Sequence, residues 1–377
     1  MEQLFAPFHL KGLTLANRLV RSATFTSMAR GSGEVSDAQL ALYRDLAAGG
    51  VGLIVTGIVY VHESGRVAVR QNSLASDERI PGLARLTKAV HDQGGKVAVQ
   101  LFHAGREAAR YREFVGGEAA WAPSRIEDDP YFAHPHRAMT NGEIDQVIAA
   151  FGAAARRARE AGFDAVQVHG AHSYLLSQFL SPHTNRREDQ WGWELGGRLR
   201  LHLAVLAAIR EQVGLDYPVM IKLGLADGFA HGLALKDGLE AARRLAQAGY
   251  DCLEISQGLR GKGYQEAEFR PEDKKAAQEG YFRDWAAAVK QRVSVPVIAV
   301  GGLRTPQACA EVLERNQADL VALCRPLVSE PALVARWQDG DLTRSRCISC
   351  NKCVEAIMSG EPVSCILDRQ QEARATG

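Results

Sequence analysis

No cysteine precedes Cys252 in this 377-residue chain; all seven lie from there on, and four fall between Cys347 and Cys365. A disulfide scaffold spreads its cysteines across the whole domain, so this distribution argues for a reduced compartment. Charge of one sign is also lacking. The 45 Lys and Arg residues face 44 Asp and Glu, which excludes a broad basic field for nucleic acid and favours small-molecule partners. No stretch approaches the roughly 20 apolar residues of a membrane span. The opening "MEQLFAPFHLKGLTLANRL" has an acidic Glu2 and no apolar core, so it makes a poor secretory signal. These absences predict a cytoplasmic protein with no membrane and no nucleic acid among its partners.

What is present is an alternation. Eight β-branched or apolar runs recur: "RLVRSATF" from Arg18, "VGLIVTG" from Val51, "KVAVQLF" from Lys96, "FDAVQVHG" from Phe163, "PVMIKLG" from Pro218, "DCLEIS" from Asp251, "VPVIAVGG" from Val295 and "ADLVALCR" from Ala318. Longer segments with helical spacing separate them. One has Ser36 as an N-cap and glycines as a stop; another runs from "TNGEIDQV" to basic residues and Gly162. Strand and helix in alternation predict a parallel sheet, and eight repeats predict the α/β class as a (β/α)8 TIM barrel. A doubly wound open sheet competes, but its Gly-x-Gly-x-x-Gly turn is missing after the first run. We expect residues 1–340 to form the barrel and 341–377 a short C-terminal cysteine-containing extension packed on it.

Barrels place their chemistry at the C-terminal ends of the strands, with phosphate by the last two. Here run seven ends in Gly301 and Gly302 and run eight in Cys324 and Arg325, so exposed backbone N–H groups and a guanidinium would meet an anion there. The alternative is two tight turns and a surface arginine. The other ends are polar too: Ala23 and Thr24, Thr56 and Gly57, Gln100 with His103 beyond, His169, and Lys222. Buried amides and cations need partners, so one rim carrying this set suggests a large polar ligand.

Five segments in the right order resemble the old yellow enzyme family of flavin-dependent oxidoreductases: "NRLVRSA" (17–23), "QLFHAGR" (100–106), "HGAHSYLLSQFLSPHTNRRED" (169–189), "VPVIAVGGL" (295–303) and "CRPL" (324–327). The resemblance implies FMN held without a covalent bond in the barrel mouth, with NAD(P)H as reductant. Carried over by position, Ala23, Thr24 and Gly57 would contact the flavin ring and Gln100 its pyrimidine edge. Lys222 would stand beside N1 and O2, while Gly301, Gly302, Cys324 and Arg325 would hold the phosphate. Two positions depart from the pattern. Cys324 replaces a frequent glycine, which leaves the phosphate contact to backbone N–H, and Phe25 replaces a Thr or Cys that tunes the flavin potential.

The same resemblance gives "VHGAHSYLLSQFLSP" its chemistry. His169 and His172 would bind the carbonyl or nitro oxygen of an electron-poor alkene, stabilising charge that grows as hydride arrives, and Tyr174 would protonate the α-carbon. Taken alone, two histidines and a tyrosine here are more readily a satisfied polar loop. His103 is assigned to packing or to orienting Arg106. The segment from Glu107 to Pro135 reads as an excursion over the mouth, where Trp121 or Tyr131 could cover substrate, or as a solvated loop.

The tail "RCISCNKCVEAIMSGEPVSCILD" sets Cys347, Cys350, Cys353 and Cys365 at gaps of two, two and eleven residues, a spacing suited to an iron–sulfur cluster or zinc. It resembles the 2,4-dienoyl-CoA reductase branch, where such cysteines bind a [4Fe–4S] cluster. That branch has three residues between its second and third cysteines and further FAD and pyridine-nucleotide domains. The shorter gap and the end at Gly377 leave a vestigial or structural site as the alternative. The histidine pair, moreover, is of the small-enone type. The sequence thus predicts an NAD(P)H:flavin ene-reductase whose partners are the nucleotide and an activated alkene, with homo-oligomerisation left open. A flavin and iron–sulfur dehydrogenase or demethylase serving a protein acceptor is one alternative; a flavin-free phosphate-binding barrel lyase or isomerase is the other.

Overall fold

Each of the eight apolar runs is buried on both faces, the pattern of a parallel sheet covered by helices. The computed structural model describes residues 1–263, 267–271 and 279–376. The strands are β1 (Leu19–Arg21), β2 (Leu53–Tyr60), β3 (Val97–Phe102), β4 (Ala165–Gly170), β5 (Val219–Gly224), β6 (Cys252–Ser256), β7 (Val297–Ala299) and β8 (Leu320–Leu323). They pair in sequence order, all parallel, and β8 closes onto β1 through Val321 opposite Leu19 and Leu323 opposite Arg21. The fold is a (β/α)8 barrel.

A helix follows every strand: α1 (Asp37–Ala48), α2 (Ile80–His91), α3 (Asn141–Glu160), α4 (Leu195–Val213), α5 (Leu235–Ala248), α6 (Arg283–Lys290), α7 (Pro306–Glu314) and α8 (Leu333–Gln338). Local chemistry sets their ends. Ser36 Oγ accepts from Gln39 N at 3.2 Å while the Gln39 side chain returns to Ser36 N, and Gly49 stops α1. Thr140 and Glu143 make the same capping box for α3, after which Gly162 takes φ +85°.

The period of two along each strand divides the barrel. Outward positions such as Leu19, Ile54, Val99, Val168, Ile221, Ile255 and Val321 pack under the helices. Inward positions near the N-terminal end are apolar: Val20, Leu53, Ala98, Ala165, Met220, Cys252, Ile298 and Leu320. A two-stranded antiparallel hairpin, Phe8–Leu10 with Leu13–Leu15, adds Leu10, Leu13 and Leu15 to that cluster and plugs this end. One inward step further along, Ser22, Gln100, Gln167, Lys222 and Glu254 replace the hydrocarbon. The barrel is therefore dry at one end and polar toward the other.

Beyond α8 the chain returns over the barrel. Ser345 N donates to Arg304 O at 2.9 Å and Val363 N to Thr26 O at 2.8 Å, on either side of the cysteine loop. Among the described residues, no helix is long and apolar enough to cross a membrane.

Candidate active site

The inward polar residues form one hydrogen-bonded string across the barrel. Gln100 Nε2 donates to Gln167 Oε1 at 2.7 Å, and Gln167 Nε2 donates to Glu254 Oε2 at 2.8 Å. The other Glu254 oxygen accepts from Ser22 Oγ at 2.6 Å and from Lys222 Nζ at 2.9 Å, and Lys222 also reaches Ser22 Oγ at 2.8 Å. Lys222 and Glu254 are buried, and they face each other because they are register partners on β5 and β6. An ammonium has three N–H donors, so the string leaves one of them, together with the Gln100 carbonyl oxygen, for a ligand. A donor beside an acceptor suits the pyrimidine edge of a flavin, whose imide N–H sits between carbonyl oxygens.

This wall opens onto a cavity of about 1090 Å³ at the C-terminal ends of the strands. Ala23, Thr24, Gln100, His169, His172, Tyr174, Lys222, Gly301, Gly302, Cys324 and Arg325 all line it. Gly57 does not. It lies within a register shift in β2 between Val55 and Ile58, gives its N–H to Tyr43 Oη at 3.1 Å, and would bring a Cβ to 2.6 Å from Thr24 O. Its lack of a side chain gives the end of β1 room, and Ile58 reaches the cavity instead.

The two histidines and the tyrosine meet. His169 and His172 ring centroids lie 4.9 Å apart and perpendicular, His169 and Tyr174 lie 5.0 Å apart, and Phe102 sets its edge on Tyr174 at 4.5 Å. His172 and Ser173 hold φ of 59° and 66°, the turn that aims these side chains inward. Ala171 N donates to His169 Nδ1 at 3.3 Å, which puts the ring proton on Nε2. His172 Nε2 pairs with Ser256 Oγ at 2.7 Å, leaving Nδ1, which lies 3.9 Å from Glu268 Oε1. Burial, with the Lys222 charge adding to it, holds both imidazoles far below their usual range, so they are neutral donors. Burial also pushes the Tyr174 phenol up, and it stays protonated at neutral pH.

Gly301 and Gly302, with φ of 119° and 74°, turn the chain after β7. Arg325 is buried beside them, its Nη1 donating to Asn351 Oδ1 at 2.6 Å and Arg270 O at 2.9 Å. Thr24 Oγ1 lies 3.1 Å from Cys324 Sγ. Asn351 belongs to the cysteine loop. Cys347, Cys350, Cys353 and Cys365 line one small cavity of about 20 Å³, whose wall includes Arg325 and Ser349 from the larger cavity. Burial raises the thiol of Cys347 and takes that of Cys353 up to about 12. Among the described residues, no three His, Cys, Asp or Glu side chains converge closely enough to hold a metal ion. The tail thiols share a cavity but not a single point.

His103 packs: its ring bonds Ser64 Oγ at 2.9 Å, accepts from Gly105 N at 3.0 Å and stacks on Trp121. Asp129 holds Arg106 instead, at 2.5 Å, with Phe132 under the guanidinium at 4.6 Å. Tyr131 reaches the cavity, whereas Trp121 is buried in a short strand, Ala120–Ala122, paired with His136–Ala138. Phe25 lines the cavity and packs against the buried cluster that includes Ile58 and Phe102. The sequence reading missed Ser22, Gln167, Glu254 and Ser256, although Gln167 and His169 share a strand face, as do Glu254 and Ser256. It also missed Arg260 and Glu268, which sit in the loop after β6 and carry no periodic signal.

A ligand that uses the amide-and-ammonium wall and the anion cradle together must be broad, polar and phosphorylated, which is the form of a flavin mononucleotide; the barrel is of the flavin-dependent oxidoreductase class. The chain belongs to the NADH:flavin oxidoreductase / NADH oxidase family, matching it over residues 3–343. It is 34% identical over 372 residues to a metal reductase of Desulforamulus reducens, covering 98% of this chain and 54% of that protein. It is also 34% identical over 329 residues to an NADPH dehydrogenase of Geobacillus sp., covering 87% of this chain and 91% of that one. A solved complex of 2-naphthoyl-CoA reductase with 2-naphthoyl-CoA superposes with a TM-score of 0.85 at 26% identity, over 97% of this chain and 56% of the other. The chain thus spans about half the length of some relatives and nearly all of others. Membership of this family carries FMN as cofactor.

Proposed function

We propose that this protein is an FMN-dependent ene-reductase, taking hydride from NAD(P)H and reducing the C=C bond of electron-poor alkenes such as enones, enoyl esters or nitroalkenes. The observation that carries the proposal is that His169 and Tyr174 line the same cavity as the Gln100 and Lys222 string. When bound, FMN supplies two-electron hydride chemistry. Gln100 and Lys222 would hold its pyrimidine edge, with Lys222 adding positive charge where the reduced form gathers negative charge. Gly301, Gly302, Arg325 and the backbone at Cys324 would hold its phosphate, and Ala23 and Thr24 its ring.

His169 offers Nε2–H to the acceptor oxygen of the alkene, and His172, whose Nδ1 lies 3.9 Å from Glu268 Oε1, lines the same cavity. Neutral imidazoles suit this task, because they donate without giving up a proton that the carbon must receive from elsewhere. Tyr174 gives that proton. Both substrates use one cavity, so ping-pong kinetics are expected, with parallel steady-state lines; intersecting lines would mean separate sites. The decisive experiment is anaerobic reduction of the FMN-loaded protein by NADH and by NADPH, followed by reoxidation with enones, enoyl thioesters and nitroalkenes. Tyr174→Phe should keep the first step and slow the second. Equal loss of both steps would return Tyr174 to a structural role.

A second reading rests on the tail: the four-thiol cavity shares Arg325 and Ser349 with the larger one. In that reading residues 341–377 extend the 1–340 barrel with an iron–sulfur site, and electrons leave for a protein acceptor. The thiols surround one cavity rather than meeting at a point, which suits a multi-iron cluster better than a single ion. Iron and sulfide analysis after anaerobic purification separates the two readings.

A further inference from the structure

The loops after β4 and β6 are laced together at the cavity. His172 N donates to Gln257 O at 3.1 Å, Ser173 N to Gly258 O at 3.2 Å, and Arg260 N to Ser173 Oγ at 2.8 Å. This lacing carries the Arg260 guanidinium over Tyr174, with Cζ 5.3 Å from the ring centroid. The guanidinium is itself clamped. Its Nε lies 3.0 and 2.9 Å from the two Glu268 oxygens, and Nη2 lies 2.6 Å from Oε1. A bidentate pair of this kind fixes the plane of the fork, which a single contact does not.

We propose that Arg260, held by Glu268, is a positioning residue for the proton transfer: it holds its guanidinium over the Tyr174 ring and faces the phenolate with a permanent cation as the proton departs. The inference rests on the ene-reductase reading. In the step, the Oη–H bond of Tyr174 breaks as a C–H bond forms at the α-carbon of the substrate. The electron pair of the new bond comes from the substrate enolate left by hydride addition, and the O–H pair stays on Oη beside Arg260. Solvent water then returns a proton to Tyr174.

The surrounding charges agree with this assignment. Burial pushes the Tyr174 phenol up, and the charge of Arg260 works against that rise, while Glu268 and Glu107 add to it. Burial would raise the Glu268 carboxyl as well, but Arg260 outweighs it and keeps the group ionised. Without Arg260, Tyr174 would face two carboxyl groups and a dry wall, and its proton would be harder to release.

The test uses the FMN-loaded protein with Arg260→Met and Arg260→Lys, following each half-reaction separately. Loss of the cation beside the developing phenolate should slow alkene-driven reoxidation by about 10- to 100-fold. Reduction by nicotinamide should be unchanged, and Arg260→Lys should recover part of the loss. A second readout needs no turnover: the ring-carbon signal of Tyr174 in tyrosine-labelled holoenzyme, assigned by its absence from Tyr174→Phe, should move in Arg260→Met. An unmoved signal, or equal slowing of both half-reactions, overturns the proposal. Should the wild type be reoxidised by no alkene, the ene-reductase reading falls on its own, while the carbon signal still decides whether Arg260 governs Tyr174.

Discussion

Lys222 Nζ and Glu254 Oε1 meet at 2.9 Å in the middle of the barrel, both buried and both tied to Ser22 Oγ. A buried pair of this kind adds little net stability, yet removing one member strands the other in a dry site at a cost of about 3–5 kcal/mol. Lys222→Met and Glu254→Gln should each destabilise the protein by about that much, and together by less than the sum. Urea unfolding of the four proteins measures the coupling. Strict additivity would show that the string does not act as a unit.

Asn351 joins the two cavities. It accepts from Arg325 Nη1 at 2.6 Å, donates to Phe269 O at 2.9 Å, and holds φ +61° between Cys350 and Cys353. Glycine keeps that backbone turn and deletes the side chain. Asn351→Gly should therefore weaken FMN binding by about tenfold or more, the worth of a hydrogen bond to a charged group. Flavin fluorescence quenching reads the affinity directly. Unaltered affinity would mean that Arg270 O alone orients Arg325.

The barrel was legible because its strands are buried on both faces and every run was bounded by helical spacing. The capping boxes at Ser36 and Thr140 were legible for the same local reason. His169, His172 and Tyr174 stood out by type and spacing within one turn. Glu254 did not, since its charge lies within an apolar run and its partner Lys222 is 32 residues away. Period-two bookkeeping along β6, from Cys252 to Glu254 to Ser256, would have placed it inside the barrel. Arg260 and Glu268 were not accessible to that method, because a loop has no period and their pairing depends on the lacing to Ser173. Nor did spacing reveal that Gly57 stands behind Thr24, which follows from the register shift in β2.

Arg21 breaks the outward pattern of the strands. It is wholly buried at a position where its neighbours carry Leu, Ile or Val, and none of its three guanidinium nitrogens has a hydrogen-bond partner among the described residues. An unpartnered buried polar group costs about 1–3 kcal/mol. Arg21→Met should accordingly raise stability by about that amount, seen as a higher urea midpoint with unchanged slope. A loss of stability would instead reveal an ordered water or anion that satisfies the guanidinium.

Acid should unfold this protein from the histidines first. Burial pulls His103 and His202 down to about 3, and His169 and His172 are held well below their usual value. In the unfolded chain each binds a proton near pH 6.5. As pH falls below that point the unfolded state takes up protons that the folded state refuses, so stability falls with pH by about 1.4 kcal/mol per unit for each ring. The loss continues until the folded pKa is reached, near 3 for His103 and His202. His202 isolates the effect: it lies on α4, and neither ring nitrogen has a partner among the described residues. His202→Leu should gain about 2 kcal/mol over the wild type at pH 5, relative to its difference at pH 7.5. Urea midpoints at the two pH values decide it, and an equal difference at both would show that His202 titrates alike in the folded and unfolded chain.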